Sequence, residues 1–251
     1  MQKFICCAIT ALCCSLAHSQ TPPASISSQS QPAKLILVTE EYPPFNMSEP
    51  ASGLLRGISV EKVNELMRRA KQPFSMNLYP WTRAYQMGMQ MEETCVFSTT
   101  RTPEREAMFR WIGPLVSNNW TIFARVDDKR NPKTIEDLRP YLVGGYQSDA
   151  VGEYLKQQGF DVDLAVAESD NPRKLMIKRF DFWASGELLG SWLIRTHGYA
   201  GKIRPLFNFK QTEMYLACHP KMASERVEKF NQILREMVSD GSSAAIEKKY
   251  R

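Results

Sequence analysis

The chain has 251 residues, of which 43% are hydrophobic and 24% carry a charged side chain. These proportions suit a globular protein with a sizeable core, and the length allows one large domain or two lobes. The formal net charge of +5 is small. Because no basic run and no aromatic RNA-binding motif accompanies that charge, the sequence argues against a nucleic-acid partner.

Residues 1–19 have the three parts of a secretory signal peptide. A positively charged start precedes an apolar run over residues 4–16, and the small residues Ala17 and Ser19 precede the cleavage site expected before Gln20. The apolar run is too short to cross a membrane. We therefore expect an exported, periplasmic protein whose mature chain begins with a Ser/Gln/Pro-rich flexible leader at residues 20–33.

The cysteines divide between the signal peptide and the mature chain. Four lie within the predicted signal: Cys6, Cys7, Cys13 and Cys14. A lipid anchor on either of the last two is an alternative to simple cleavage, but bulky Leu12 stands where a small residue is expected. The mature chain keeps Cys95 and Cys218, and an oxidising compartment favours a disulfide between them. Two separately buried thiols are the alternative, because pairing needs α-carbons within about 7 Å.

The first part of the mature chain alternates between strand and helix patterns. An apolar run at residues 34–39 predicts a buried strand, and apolar residues at helical spacing follow, with Ser59 as the expected N-cap. Alternation at residues 74–78 predicts a second strand, a helix is expected over residues 81–91, and a third strand covers residues 95–97. This order is typical of an α/β fold, with a parallel sheet covered by helices.

Polar and aromatic segments follow these three strands, at residues 40–45, 79–83 and 98–105. Because the carboxyl ends of parallel strands meet at one edge of a sheet, ligands bind there. In the third segment, hydroxyl residues precede Pro103, which is placed to begin a helix, and Arg105 offers a planar fork that grips a carboxylate. The sequence therefore predicts an anion site around Arg105. The alternative is a polar loop with a surface arginine.

The second half of the chain repeats the alternation of strands and helices. Residues 120–125 predict a strand that crosses into a second lobe, where Ser148 is expected to cap a helix, and residues 214–218 are expected to cross back. Two crossing strands imply a hinge and a cleft between two lobes. The predicted division is lobe 1 at residues 34–117 plus 218–251, and lobe 2 at residues 118–217.

Several motifs, taken in order, resemble one family. They are Glu41-Tyr42-Pro43-Pro44-Phe45, Gly57, Trp81-Thr82-Arg83-Ala84, Thr100-Arg101-Thr102-Pro103-Glu104-Arg105-Glu106 and Gly144-Gly145-Tyr146-Gln147-Ser148. Across about the whole mature chain, this pattern resembles the extracellular solute-binding proteins of the polar amino-acid type, family 3. The resemblance implies the type II periplasmic binding fold, with a mainly parallel sheet in each lobe. It also implies a small-molecule ligand and the membrane subunits of an ABC importer as partners.

In that family, the arginine matching Arg105 holds the ligand carboxylate. Two departures are visible here: Ser148-Asp149 replaces the usual Gly-Thr or Gly-Ser step, and Gly186 stands where an acidic residue clamps the ligand's amino group. We therefore expect the family's fold without its α-amino-acid specificity, and a small polar ligand with one anionic end. The residues predicted to bind it are Tyr42, Phe45, Glu41, Trp81, Arg83, Ser98, Thr100, Arg105 and Ser148.

Two other functions would use the same fold. Some relatives are periplasmic dehydratases, and Glu40, Glu41 or Glu187 could act as acids or bases. The two histidines of the mature chain, His197 and His219, have no metal-ligand spacing, and no nucleophile motif is present, so we expect no catalytic residue, metal or cofactor. A soluble ligand sensor for a membrane receptor is the other alternative. In each case we expect a monomer.

Overall fold

The computed structural model of the protein describes residues 33–250. The predicted signal peptide and all but the last residue of the predicted leader lie outside the described residues. Among residues 33–250, no helix combines the length and the apolar character needed to cross a lipid bilayer. The strands form two five-stranded sheets and one small hairpin.

The first sheet has helices on both faces. Its strands are β1 (Leu35–Thr39), β4 (Phe74–Leu78), β5 (Thr94–Thr100), β6 (Arg110–Ser117) and β12 (Glu213–Cys218), in the spatial order β4-β1-β5-β12-β6. The hairpin joins β2 (Met47–Ser48) to β3 (Leu55–Arg56), and the helices are α1 (Ile58–Ala70), α2 (Trp81–Gln90), α6 (Ser224–Ser239) and α7 (Ser242–Lys248). β1 runs parallel to β4 and β5, whereas β12 runs antiparallel to β5 and β6.

The apolar run of β1 is continuous because both of its faces are covered. Leu35 and Leu37 belong to the core cluster that includes Leu66 of α1 and residues of α6. Val38 belongs to a different cluster, with Ala84 of α2. Successive side chains of a strand point to opposite faces, so this one run anchors helices on both sides of the sheet.

The second sheet contains β7 (Trp120–Arg125), β8 (Val143–Tyr146), β9 (Val162–Ala165), β10 (Phe182–Gly186) and β11 (Ile203–Lys210), in the order β11-β7-β10-β8-β9. Its helices are α3 (Ala150–Gln157), α4 (Asn171–Met176) and α5 (Glu187–Thr196). β8 runs parallel to β9 and β10, and β7 runs antiparallel to β10 and β11. The predicted α/β class is confirmed, and each sheet combines a parallel half with an antiparallel half.

The chain passes between the sheets twice, and the two passages lie side by side. β6 leads to β7 through Asn118, and β11 leads to β12 through Thr212. The Asn118 amide donates to the Thr212 carbonyl at 2.8 Å, and the Thr212 hydroxyl donates back to the Asn118 carbonyl at 2.5 Å. The positions match the expected crossings. Their action as a hinge stays a prediction.

The predicted disulfide is confirmed. Cys95 of β5 lies directly opposite Cys218 of β12 in the antiparallel register. Their α-carbons are 3.9 Å apart and the sulfur atoms are bonded. The bridge therefore joins two neighbouring strands of the first sheet that are 123 residues apart in sequence.

Two predicted helix caps are wrong. Ser59 lies inside α1, which begins at Ile58 after Gly57. Gly57 has φ 127°, and a β-carbon there would lie 2.2 Å from the Phe45 carbonyl oxygen, so the close approach of two backbones sets the start of this helix. At α3 the N-cap is Asp149, whose carboxylate accepts from the Val151 amide at 3.0 Å, whereas Ser148 adopts a left-handed φ of 61°.

Three short 3-10 helices, at Pro103–Met108, Glu136–Leu138 and Glu168–Asp170, complete the description. The first of them replaces the α-helix expected to begin at Pro103. Strand β11 was not predicted, although its residues Phe207 and Phe209 pack against the core of the second sheet. Pro205 within this strand obscured its alternating pattern.

Candidate functional site

The carboxyl ends of the first sheet's parallel strands face the second sheet. Trp81, the first residue of α2, donates its indole N–H to the Ser148 carbonyl at 2.7 Å. The Tyr146 hydroxyl at the end of β8 donates to the Glu40 carboxylate, which follows β1, at 2.9 Å. Segments that the sequence placed at separate strand ends therefore meet in one cleft between the two sheets.

Arg105 is buried at this cleft, with 3% of its surface exposed. Its guanidinium Nη2 donates to the Ser148 carbonyl at 3.1 Å and forms an ion pair with the Glu153 carboxylate at 2.6 Å. The guanidinium also lies 4.9 Å from the centre of the Tyr85 ring. Arg105 is thus in its predicted place, but a carboxylate from α3 already pairs with it.

Tyr42 and Ser98 also line up along this edge. Tyr42 is 6% exposed, and its hydroxyl accepts from the Asn118 side-chain amide at 3.3 Å. Ser98 has a left-handed φ of 60°, and its hydroxyl donates to the Asn46 side-chain oxygen at 2.5 Å. Thr100, at the end of β5, is buried. These residues give the carboxyl end of the first sheet aromatic and hydroxyl groups.

Three predicted ligand residues lie in other settings. Phe45 has no exposed surface and belongs to the hydrophobic core. Arg83 is exposed, with its guanidinium 4.4 Å from the centre of the Tyr79 ring. Glu41 is also exposed, and its carboxylate accepts from the Ser48 amide at 3.0 Å. The structure does not bring them together with Arg105.

A carboxyl group that was not predicted in the site, that of Glu168, lies on the second sheet's side of the cleft. Glu168 keeps part of its surface in solvent, but its carboxylate accepts hydrogen bonds from the buried side chains of Trp183 at 3.1 Å, Ser185 at 2.5 Å and Asn171 at 2.7 Å. Desolvation raises the pKa of Glu168 to about 8. Desolvation and the charges of Asp149 and Glu168 raise the pKa of Glu40 well above its ordinary value.

A cavity of about 710 Å³ opens beside this cleft. The first sheet contributes Glu40, Glu41 and Tyr79 to its wall, and the second contributes Tyr146 and Glu168. Its size falls within the range of small-molecule sites. A second cavity, of about 680 Å³, lies beside the crossing segments and contains neither Arg105 nor Glu40 in its lining. Across residues 33–250, no group of three acidic, histidine or cysteine side chains could hold a metal ion.

Comparison with protein families identifies the chain. The model of the bacterial extracellular solute-binding proteins, family 3, matches residues 35–251. The chain belongs to this family. No curated relative matches the sequence.

Solved structures confirm the family's fold. The crystal structure of a histidine kinase sensor domain with similarity to periplasmic binding proteins has a TM-score of 0.80 and 19% identity, covering 88% of this chain and 96% of its own. The arginine-, lysine-, histidine-binding protein ArtJ from Geobacillus stearothermophilus has a TM-score of 0.75 and 17% identity, covering 86% and 94%. The GluR0 ligand-binding core from Nostoc punctiforme, in complex with L-glutamate, has a TM-score of 0.73 and 18% identity, covering 86% and 98%.

Gly186, the departure from the family pattern, has a steric explanation. A β-carbon on Gly186 would lie 2.7 Å from the Tyr42 hydroxyl and 2.8 Å from the Asn118 side-chain oxygen. Real β-carbons do not approach other atoms so closely, so an acidic side chain there would require the Tyr42 or Asn118 side chain to move. In this solute-binding protein, Tyr42 and Asn118 occupy the space beside that position.

Proposed function

We propose that this solute-binding protein captures a small polar metabolite in the cleft between the two sheets, with the lobes divided as the sequence predicts except that β12 belongs with lobe 1. One observation carries the proposal: side chains after β1 and at the start of α2, together with Arg105, contact the Tyr146–Ser148 segment across a cleft that adjoins the 710 Å³ cavity. Buried polar groups from two separate sheets, next to a cavity of this size, suit a site that encloses its ligand.

A ligand with an anionic end would meet Arg105 first. The hydrogen bonds that Arg105 donates within the described residues all leave from Nη2. A ligand carboxylate would therefore approach the Nε and Nη1 edge or displace Glu153, with Ser98 and Thr100 beside it. Either approach retains a planar, charge-assisted contact, which is the strongest available to a carboxylate.

The two passages between the sheets are suited to act as a hinge. They lie side by side near Asn118 and Thr212, so small torsional changes there would separate the sheets. We propose that closure encloses the ligand and reopening releases it. If so, the Arg105→Ala variant, which lacks the contacts to Ser148 and Glu153, should have a larger radius of gyration by X-ray scattering than the wild type. Equal radii would count against the hinge.

We propose delivery to the membrane subunits of an ABC importer from the periplasm, in line with the family's description as extracellular. Presentation to a membrane receptor is the second candidate, and the similarity to a histidine kinase sensor domain favours it. Affinity purification from membranes after cross-linking distinguishes the two. Recovery of transporter subunits supports import, and recovery of a receptor supports sensing.

A thermal-shift screen of metabolites tests the binding role itself. A ligand present at a hundredfold excess over its dissociation constant stabilises the folded protein by about 2.7 kcal/mol, which raises the melting temperature by several degrees. We expect at least one small polar metabolite to do so in the wild type but not in Arg105→Ala. Turnover of a bound compound would support the dehydratase alternative instead.

A further inference from the structure

Arg105 and Glu153 form an ion pair that joins the two sheets. Arg105 lies in the 3-10 helix that follows β5 of the first sheet, and Glu153 lies in α3, which packs on the second sheet. The pair is 2.6 Å long and holds the buried guanidinium against a half-exposed carboxylate. Of the ion pairs between described residues, it is the one that links an element of the first sheet to an element of the second.

The backbone at Ser148 strengthens the same contact. Its carbonyl accepts from Arg105 Nη2 at 3.1 Å and from the Trp81 indole at 2.7 Å. Ser148 adopts a left-handed φ of 61°, a conformation that residues other than glycine seldom adopt. The second sheet's side of the cleft therefore supplies two acceptors to Arg105, one from Ser148 and one from Glu153.

Other groups suited to an anion are also engaged within the protein. The N-terminus of α3 has its own cap, because the Asp149 carboxylate accepts from the Val151 amide at 3.0 Å. A hydroxyl has a single proton to donate, and Ser98 donates its proton to the side-chain oxygen of Asn46 at 2.5 Å. The anion at this part of the cleft is thus supplied by the chain itself.

A solute carboxylate at Arg105 would meet two carboxylates of like charge. Glu153 contacts the guanidinium directly. Burial raises the pKa of Asp149, and the charge of Arg105 opposes that rise. Even the Nε and Nη1 edge belongs to the same small planar group, so a solute bound there stays close to Glu153. Like charges side by side are unfavourable, whereas the half-exposed Glu153 side chain can turn into water. An anionic end therefore binds well only after Glu153 has left.

We propose that Glu153 is a specificity-determining residue. Its carboxylate takes the place of a solute carboxylate at Arg105, holds the two sheets together and disfavours solutes with an anionic end. This inference rests on the proposed capture of a solute between the sheets and assigns a competitor to its anion site. A solute without an anionic end leaves the ion pair intact, whereas an anionic solute has to displace Glu153.

Titration calorimetry with acetate and succinate, at an ionic strength held constant with sodium chloride, tests the competition. We expect Glu153→Gln to bind at least one of these probes about 5- to 30-fold more tightly than the wild type, because the competing charge is gone. Gln keeps the size of the side chain and an oxygen that can accept from Arg105. The control is Glu136→Gln, which removes the same charge from an exposed ion pair with Arg139 and should leave affinity unchanged.

A second variant ties the gain to Arg105. The double variant Arg105→Ala/Glu153→Gln should lose the increase in affinity, because no guanidinium remains to receive the probe. Equal affinities of the wild type and Glu153→Gln for both probes, including binding too weak to detect in either, would overturn the proposal. A gain that persists without Arg105 would overturn it as well.

X-ray scattering without added solute tests the link between the sheets. Glu153→Gln should have a larger radius of gyration than the wild type, and Glu136→Gln should not. Equal radii in all three proteins would overturn the role of Glu153 in holding the sheets together. If a screened metabolite binds but Glu153→Gln shows no gain for the probes, the inference falls and the binding function stands. If the gain is seen but no screened metabolite binds, the competition at Arg105 stands and the binding function falls.

Discussion

Arg105 and Glu168 both lie at the cleft, but the two side chains have different partners. Arg105 is paired with Glu153, a carboxylate on the opposite sheet's helix α3. Glu168 is held by three neutral donors, and the neighbouring charge of Asp149 has the same sign as its own. The charge of Arg105 is therefore balanced by a carboxylate of the protein, whereas Glu168 has neutral donors but no ion-pair partner among the described residues. The raised pKa of Glu168, about 8, reflects this lack of a cation beside a desolvated carboxyl group.

The disulfide stabilises the first sheet, which carries the Arg105 side of the cleft, and its removal has the largest expected effect. Cys95 and Cys218 close a loop of 123 residues. In the chain-entropy account, a loop of that size stabilises the folded state by about 4–5 kcal/mol. In urea unfolding, the double variant Cys95→Ala/Cys218→Ala should therefore lose a large part of this stabilisation free energy. An unchanged unfolding midpoint would mean that the first sheet does not depend on the bridge.

Replacing Arg105 tests the satisfied side of the comparison. Arg105→Ala removes charge-assisted hydrogen bonds to Ser148 and Glu153 from a buried position. Because Glu153 is half exposed, water can solvate its carboxylate once Arg105 is removed. We therefore expect the free energy of unfolding to fall by about 2 kcal/mol, less than for a fully buried ion pair. Denaturant unfolding measures it. Arg235→Ala, which breaks an exposed pair with Glu228, is the control and should change stability by less than about 0.5 kcal/mol.

The Arg105 side and the Glu168 side of the cleft also differ in how much of their geometry the sequence predicted. The place of Arg105 followed from a strand ending in hydroxyls before Pro103, a local pattern. Pairing with Glu153 and the inward placement of Glu168 depend on how the second sheet faces the first. No local pattern encodes that geometry. The α/β fold and the disulfide were predictable for the same reason as Arg105, because periodicity and residue type carry them.

Helix caps and strand β11 show where local patterns mislead. Ser59 and Ser148 have the residue type of a cap, yet Gly57 and Asp149 precede the helices. At Gly57 the deciding factor is contact with the backbone of Phe45, 12 positions earlier in the chain, and residue preference alone does not contain that contact. Pro205 similarly concealed β11.

The pH dependence of stability tests the Glu168 side of the cleft. The pKa of Glu168 is about 8 in the folded protein, above its ordinary 4.5. Between these values the folded protein holds a proton that the unfolded chain releases, so this group's contribution to stability falls as pH rises and is lost above about 8. Melting temperatures from pH 5 to 8.5 should therefore fall less steeply in Glu168→Gln than in the wild type. Parallel slopes would show that Glu168 ionises normally.

Hydrogen–deuterium exchange of the full mature chain, with and without the solute found by the thermal-shift screen, tests capture between the sheets most directly. We predict that binding slows exchange in two places at once: residues 98–105 at the edge of the first sheet and residues 146–153 at the edge of the second. Protection confined to one of these segments, or protection only around the cavity beside the crossing segments, would contradict the account.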